Sequence, residues 1–344
     1  MRAAIFQQHG GPEVMQCGEL PEPVPGPGPG EVLVAVKAAA LNRLDKWVRD
    51  GWPGLKLALP HLTGSDAAGE VAAVGAQVRE WQPGDRVAIN ANLGCGVCPA
   101  CVAGQDNLCE AWHLAGETAP GLAAERVVVP ARQLVRVPAQ VPFEQAAAAG
   151  LVYQTAWHSL MTRGGLRAGE SVLVVGAAGG VNTASIQIAK LAGATVYVVG
   201  SDAAKLAVAQ SLGADVLIDR SQVEWGKEVF KLTGRRGVDV VVDNVGAATL
   251  MTSLRAVRKG GRVLTVGNTS GPKFEFDNRY LFGRQISLIG STMSTRAEYA
   301  TVMGLVFAGR LKPVIDSVRP LAEVRAAHER LEQGAPLGKL VLSL

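Results

Sequence analysis

From residue 171 onward the chain alternates between short apolar runs and amphipathic stretches. Residues 172–175, 195–199, 216–218, 238–243, 261–267 and 285–290 are short and rich in β-branched side chains, the composition of strands buried on both faces. Between the first two, Val181, Ala184, Ile188 and Leu191 recur at helical spacing, and Gly193 marks the helix end. Residues 203–212, 223–232 and 248–257 read as further helices. Strands alternating with helices predict a doubly wound parallel sheet, which binds ligands at the carboxyl ends of its strands.

The first 150 residues carry a different rhythm. In 31–38, Val32, Val34 and Val36 alternate with Leu33, Ala35 and Lys37, the period of a strand. Residues 69–74, 86–89 and 126–129 are further short strands, with turns such as Gln82-Pro-Gly-Asp85 between them, so an all-β barrel or sandwich is expected. Residues 1–9 read as an opening strand, and the Pro/Gly-rich stretch 21–30 as an extended connector. Towards the end, 296–308 and 321–332 read as helices and 338–341 as a closing strand.

Composition narrows the function. A length of 344 residues accommodates two domains, each with a sizeable core. The net charge of +4 is spread without a basic block, so nucleic-acid binding gains little support. No apolar run reaches the roughly 18 residues of a membrane span, and the N-terminus lacks the apolar segment of a signal peptide. A cytoplasmic location is expected. Four of the five cysteines fall within fifteen positions, which fits a reducing compartment and a metal site.

Two motifs carry chemistry. Cys95, Cys98, Cys101 and Cys109 are spaced C-x2-C-x2-C-x7-C, which lets one loop wrap a tetrahedral ion; four thiolates leave no open position, as in a structural zinc site. A disulfide pair or an iron–sulfur cluster fits the compartment and the spacing less well. Cys17 reads as an ordinary small side chain. The second motif is the glycine-rich turn at 176–180, between a strand and a helix. In the G-x-G-x-x-G register it reads Ala177-Ala178-Gly179-Gly180-Val181-Asn182, keeping only the middle glycine. A dinucleotide site and a purely structural strand-to-helix turn both remain open on this motif alone.

The cysteine lobe, the Pro/Gly connector, Gln82-Pro-Gly-Asp-Arg-Val87, Thr155-Ala-Trp157 and the glycine turn occur in the order found in medium-chain dehydrogenases/reductases, which the chain resembles from end to end. The cysteine lobe resembles the zinc alcohol dehydrogenase branch, and Gly176-Ala-Ala-Gly-Gly-Val181 the quinone oxidoreductase branch. The resemblance implies an α/β plus β fold. A GroES-like catalytic domain would span 1–150 and 294–344, with the zinc lobe at about 91–112, and a Rossmann domain 151–293. The active site is expected between the domains.

The zinc alcohol dehydrogenases hold a second, catalytic zinc at three positions. These correspond here to Asn42, Ser65 and the neighbourhood of Leu151, which together cannot bind zinc usefully. A site rebuilt from His61 and Asp66 is the alternative; His113 and His158 stand out less. The remaining Asn42-x-x-Asp45 pattern, followed by Arg49-Asp-Gly51, resembles zinc-free quinone oxidoreductases. Asn42, Asp45 and Thr155 are the candidate catalytic residues, although Asn42 equally reads as a helix cap. Tyr153 is a proton donor or a packing residue, and water is the other proton source.

The resemblance places the cofactor's phosphates on Arg43, Ala178, Gly179, Gly180 and Val181, and its ribose and nicotinamide on Asn244, Val245, Val266 and Gly267. The tail would bring Lys339 to the cofactor. Gly200 and Ser201 end the second strand where NAD enzymes carry an acid; with Lys205 and Arg220 they suit the 2′-phosphate of NADP(H) rather than NAD(H), Asp202 being the discordant residue. The expected function is NADPH-dependent reduction of quinones or conjugated enones, with one structural zinc per subunit. The rivals are an alcohol dehydrogenase with non-standard zinc ligands and a non-catalytic NADPH-binding sensor. Pairing of the edge strand 285–290 would make a homodimer or homotetramer.

Overall fold

Val32, Val34 and Val36 are buried while Leu33 and Ala35 are half-buried and Lys37 is exposed, the period-two pattern of a strand covered on one face. The alternation stops after Lys37: Ala38, Ala39 and Ala40 are all buried, so this strand ends inside the molecule. The structure, a computed structural model, describes residues 1–23 and 26–344; Val24 and Pro25 of the expected connector lie outside the described residues. The chain divides into two units, residues 1–154 with 294–344, and residues 155–293. No described helix is long and apolar enough to cross a membrane.

In the first unit the strands are β1 (Arg2–Phe6), β2 (Gln16–Glu19), β3 (Glu31–Ala40), β4 (His61–Leu62), β5 (Ala67–Val74), β6 (Arg86–Ile89), β7 (Asn92–Leu93), β8 (His113–Leu114), β9 (Arg126–Pro130) and β10 (Leu134–Arg136). Helices α1 (Arg43–Asp50) and α2 (Pro99–Val102) punctuate them, and α3 (Phe143–Trp157) runs across the boundary at residue 154. The second unit runs β11 (Ser171–Val175), α4 (Gly180–Leu191), β12 (Thr195–Gly200), α5 (Ala203–Ser211), β13 (Val216–Asp219), α6 (Trp225–Leu232), β14 (Val238–Asp243), α7 (Leu250–Ala256), β15 (Val257–Thr265), α8 (Arg279–Arg284) and β16 (Ser287–Gly290). The chain then returns to the first unit as α9 (Arg296–Phe307), β17 (Ile315–Pro320), α10 (Val324–Glu332) and β18 (Lys339–Ser343).

The larger sheet of the first unit has the order β10-β6-β5-β3-β18-β17, with β9 also pairing β3. The C-terminal strand β18 is therefore interior, antiparallel to β3 and parallel to β17. Phe6, Met15, Val48, Leu321 and Leu340 are among the side chains of the core beside it.

The second unit is a six-stranded parallel sheet in the order β13-β12-β11-β14-β15-β16. Its strand order reverses between β11 and β14, the switch point where doubly wound sheets bind ligands. All six residues of β14 are buried, as helices on both faces require.

The first unit is not all-β. Helix α3 escaped the sequence pattern because Ala146, Ala147, Ala148 and Ala149 are all buried, leaving no polar face to show a helical period. Strand β17 was also missed. Strand β15 begins at Val257, four residues before the expected start, because Val257 still pairs with Val238 ahead of a register shift.

Candidate functional site

At the end of β11, Gly176 takes φ +109°, and a Cβ there would lie 2.2 Å from Nδ2 of Asn182, so only glycine fits. Gly179 caps α4 without a side chain, leaving the N–H groups of the first turn uncapped and favourable to an anion. Asn182, at the third fingerprint position, donates from Nδ2 to the Val175 carbonyl at 2.8 Å and accepts on Oδ1 from Asn244 Nδ2 at 3.3 Å. It ties the ends of β11 and β14 together across the switch point, a role a glycine could not fill.

Asn244 and Val245 follow β14 in a loop ordered by the buried Asp243. Its carboxylate accepts from the N–H groups of Val245 (2.9 Å) and Gly246 (3.2 Å) and from the hydroxyls of Thr249 (2.8 Å) and Ser253 (2.6 Å). Sequence reasoning missed Asp243, which reads as the last residue of an apolar run. Oδ1 of Asn244 and Oγ1 of Thr155 are buried without a hydrogen-bond partner among the described residues. Such atoms suit contacts to a bound molecule. Val266 and Gly267 follow β15, and a Cβ on Gly267 would lie 3.0 Å from the Asn244 carbonyl oxygen.

At the end of β12, the absence of a side chain at Gly200 makes room for Leu206 of α5. Asp202 caps α5, accepting from the Lys205 N–H at 3.0 Å and from the Ser201 hydroxyl at 2.8 Å, contacts that hold its carboxyl below the usual range. Lys205 Nζ lies 3.2 Å from both Ser201 Oγ and Asp202 Oδ2. The discordant acid is thus a helix cap that also orients the serine and the lysine. Arg220 is exposed, its N–H bonded to the Gly200 carbonyl at 3.0 Å.

The sulfur atoms of Cys95, Cys98, Cys101 and Cys109 all lie within 4.8 Å of one another, the only group of three or more metal-ligating side chains so placed among the described residues. A tetrahedral zinc with bonds of about 2.3 Å separates its sulfurs by about 3.8 Å. Cys95 and Cys101 stand 4.0 Å apart, so the set fits with small adjustments. The N–H groups of Val97 and Cys98 bond Cys95 Sγ and lower its thiol, favouring a thiolate there, while burial and the neighbouring thiols raise that of Cys101.

Asn42 stands between β3 and α1, at the helix N-cap. Asp45 accepts from its backbone N–H at 2.6 Å and from that of Gly64 at 3.1 Å. Burial pushes the Asp45 carboxyl up to about 6 against those two bonds. The Asn42 side chain also reaches two distant residues: Nδ2 donates to Asp66 Oδ2 at 2.9 Å, and Oδ1 accepts from Lys339 Nζ at 2.5 Å. Asp66 also binds Lys339 Nζ at 2.9 Å and takes the Leu151 N–H on its other oxygen at 2.6 Å. Lys339, the residue expected at the cofactor, has two of its three donors committed to Asn42 and Asp66.

The other residues singled out are engaged elsewhere. Ser65 donates to the Ala115 carbonyl at 2.7 Å, and the buried His61 ring contacts the Gly116 carbonyl at 3.2 Å. Arg43 donates to the Leu331 carbonyl at 3.1 Å. Arg49 is wholly buried and clamps α1 to α10 through His328 (3.2 Å) and Glu332 (3.0 Å). Burial, with the Arg49 charge, drives His328 down to about 3, so it meets the guanidinium as a neutral acceptor. Tyr153 is buried.

Both halves of the chain match known protein families. The alcohol dehydrogenase GroES-like domain matches residues 28–139, and the zinc-binding dehydrogenase domain matches residues 180–308. Human quinone oxidoreductase is 32% identical, the match covering 100% of this chain and 98% of the relative. Crotonyl-CoA reductase of Streptomyces collinus is 33% identical over 91% of this chain and 79% of its own length. A solved structure described as an NAD-dependent alcohol dehydrogenase superposes with a TM-score of 0.95 at 43% identity, covering both chains fully. With its GroES-like and Rossmann-like parts in place, the chain belongs to the medium-chain dehydrogenase/reductase superfamily of oxidoreductases.

Proposed function

We propose that the protein reduces quinones or conjugated enones with NADPH, without a catalytic zinc, and carries one structural zinc on Cys95, Cys98, Cys101 and Cys109. The observation carrying this reading is that the expected zinc-ligand positions hold residues engaged in hydrogen bonds within the protein. Asn42 and the Leu151 N–H are bonded through Asp66, and the Ser65 hydroxyl is bonded to Ala115. The quinone oxidoreductase and crotonyl-CoA reductase relatives support the same substrate chemistry.

When bound, a reduced nicotinamide supplies the hydride. The uncapped start of α4, with Ala178–Val181, would hold the pyrophosphate. Ser201, Lys205 and Arg220 would hold the 2′-phosphate, while Asn244, Val245, Val266 and Gly267 line the ribose and nicotinamide. Asn42 and Asp45 in the first unit and Thr155 in the second are the residues we assign to catalysis, and water would supply the proton. In this reading residues 1–150 with 294–344 form the catalytic domain and 151–293 the cofactor domain. The exposed edge of β16 would pair copies of the chain.

One observation favours NADH instead: Asp202 places a carboxylate beside Ser201, and the related NAD-dependent alcohol dehydrogenase structure points the same way. The deciding experiment measures oxidation of NADPH and of NADH with 1,4-benzoquinone, an enone and a set of aldehydes, beside zinc per subunit. Turnover of quinone or enone with about one zinc is the expected result. Alcohol–aldehyde turnover with two zincs, or cofactor binding with no turnover, overturns it.

A further inference from the structure

We propose that Asn182 is a positioning residue for the cofactor: through Asn244 it holds the loop after β14 in register with the glycine turn, and so favours the nicotinamide riboside half, which carries hydroxyl and amide donors. The inference rests on the nicotinamide-cofactor part of the proposed function and not on the substrate. Every residue it uses lies in the second unit.

Asn182 stands where the glycine fingerprint carries its last glycine, and it is 8% exposed. Two glycines of the turn close on its amide. A Cβ on Gly176 would lie 2.2 Å from Nδ2, and one on Gly179 would lie 3.6 Å from Oδ1. Chemistry then fixes the order of the hydrogen bonds. The Val175 carbonyl can only accept, so Asn182 turns Nδ2 towards it, at 2.8 Å. Oδ1 is left on the other side and can only accept, so Asn244 answers with Nδ2, at 3.3 Å. What remains of the Asn244 amide is Oδ1, an acceptor without a partner among the described residues.

The backbone of β11 thus dictates which atom the loop after β14 has to offer. An orphaned acceptor suits an N–H or O–H donor. Ribose hydroxyls and a carboxamide supply one, whereas an ionised phosphate brings acceptors only. Asn244 is half-buried and leaves the carboxyl end of β14, beside the switch point where such sheets take their ligands. The same loop is braced by the segment after β15. The Asn244 carbonyl accepts from Thr269 Oγ1 at 3.2 Å, and the Val245 carbonyl from the Ser270 N–H at 2.8 Å and hydroxyl at 2.7 Å. Asn182 joins this braced loop to the turn that opens α4.

A ligand that bridges turn and loop binds better when the two are held in register beforehand. A ligand that touches the turn alone gains nothing from the tie. A tie serving only stability would weaken every nucleotide alike, or none.

The test measures binding of NADPH and NADH, and of their adenosine halves 2′-phospho-ADP and ADP, to the zinc-loaded full chain by calorimetry. Asn182→Ala removes both hydrogen bonds; Asn182→Gly, the residue the fingerprint itself carries, does the same if the alanine variant fails to fold. Either should weaken the preferred intact cofactor about tenfold, the worth of one hydrogen bond, and its adenosine half less than about twofold. Asn244→Ala should reproduce that split with the bond from Asn182 to Val175 in place. In the double variant the losses should not add, because Asn182 acts through Asn244. Circular dichroism and melting temperature report folding.

Folded Asn182 variants that keep wild-type affinity for the intact cofactor overturn the proposal. Equal loss of the adenosine half also overturns it, since Asn182 would then support the turn and nothing beyond it. So do losses that add in the double variant. The expected split in a protein without quinone or enone turnover would overturn the proposed substrates and leave Asn182 in its role. A wild-type protein that binds no nicotinamide nucleotide overturns both.

Discussion

Two clusters in the first unit are built for a cation, and they are built in opposite ways. The cysteine lobe draws all four side chains from one short loop between Cys95 and Cys109. The Lys339 cluster draws on β18, the start of α1, the loop before β5 and the backbone of α3, with Lys339 and Asp66 separated by 273 positions. The loop gathers like charges and waits for an ion from outside. The distant segments bring a positive and a negative group together and need none. Stability conferred by the lobe therefore depends on zinc concentration. That conferred by the Lys339 cluster depends only on keeping each buried charge paired.

The contrast is broken most directly at Asp66. Asp66→Ala leaves a buried ammonium without its counter-charge and should cost about 3–5 kcal/mol, read as a lower urea midpoint with zinc content unchanged. Loss of zinc in that variant would show that the two clusters are not independent.

The next effect is a dependence on pH. The Asp45 carboxyl is raised to about 6 in the folded protein. Below about pH 4 the folded and unfolded forms both hold the proton. Between about pH 4 and 6 the unfolded form ionises first, so stability falls, by about 3 kcal/mol across the window, and levels off above it. Asp45→Asn should flatten that difference in denaturation curves at pH 4, 5, 6 and 7. An unchanged profile would sink the assignment.

Zinc removal ranks third. At a hundredfold excess of free zinc over its dissociation constant, binding adds about 2.7 kcal/mol, so a strong chelator should lower the melting temperature and re-addition should restore it. Cys101→Ser should remove most of the response.

The smallest effect tests how the lobe is anchored. Asp106 accepts from the Arg296 N–H at 3.0 Å and from Asn92 Nδ2 at 3.1 Å, and Asn92 Nδ2 also reaches the Ser294 carbonyl at 3.0 Å. Asp106→Ala should cost about 1 kcal/mol and speed zinc release to a chelator. A variant with wild-type release would show that the lobe holds its own shape.

What could be read from the sequence follows the same division. Contacts within one loop or one strand–helix unit leave their mark in spacing: the cysteines, the Gly176 turn, and the β-branched runs of β11, β12 and β14. Contacts between distant segments leave none. Asp66 and Lys339 are an ordinary acid and an ordinary lysine until β18 inserts beside β3. Asn182 looked like a defect in a glycine fingerprint, and its two hydrogen bonds show it to be a tie between strands. Arg49 was grouped with Asn42 and Asp45, whereas its partners His328 and Glu332 lie on α10, out of reach of any local pattern. Helix α3 was hidden by a run of buried alanines rather than by distance.

The interior position of β18 also sets an order in time. A chain emerging at about 5–20 residues per second exposes Asp66 tens of seconds before Lys339 exists. During that interval all of residues 155–293 is synthesised, and their parallel sheet has every strand it needs. The first unit still has a gap beside β3, with Asp66 awaiting its cation. Nascent chains arrested before residue 339 should accordingly present a folded second unit and a protease-sensitive first one, so the last five-residue strand acts as the clasp on a fold begun at residue 2.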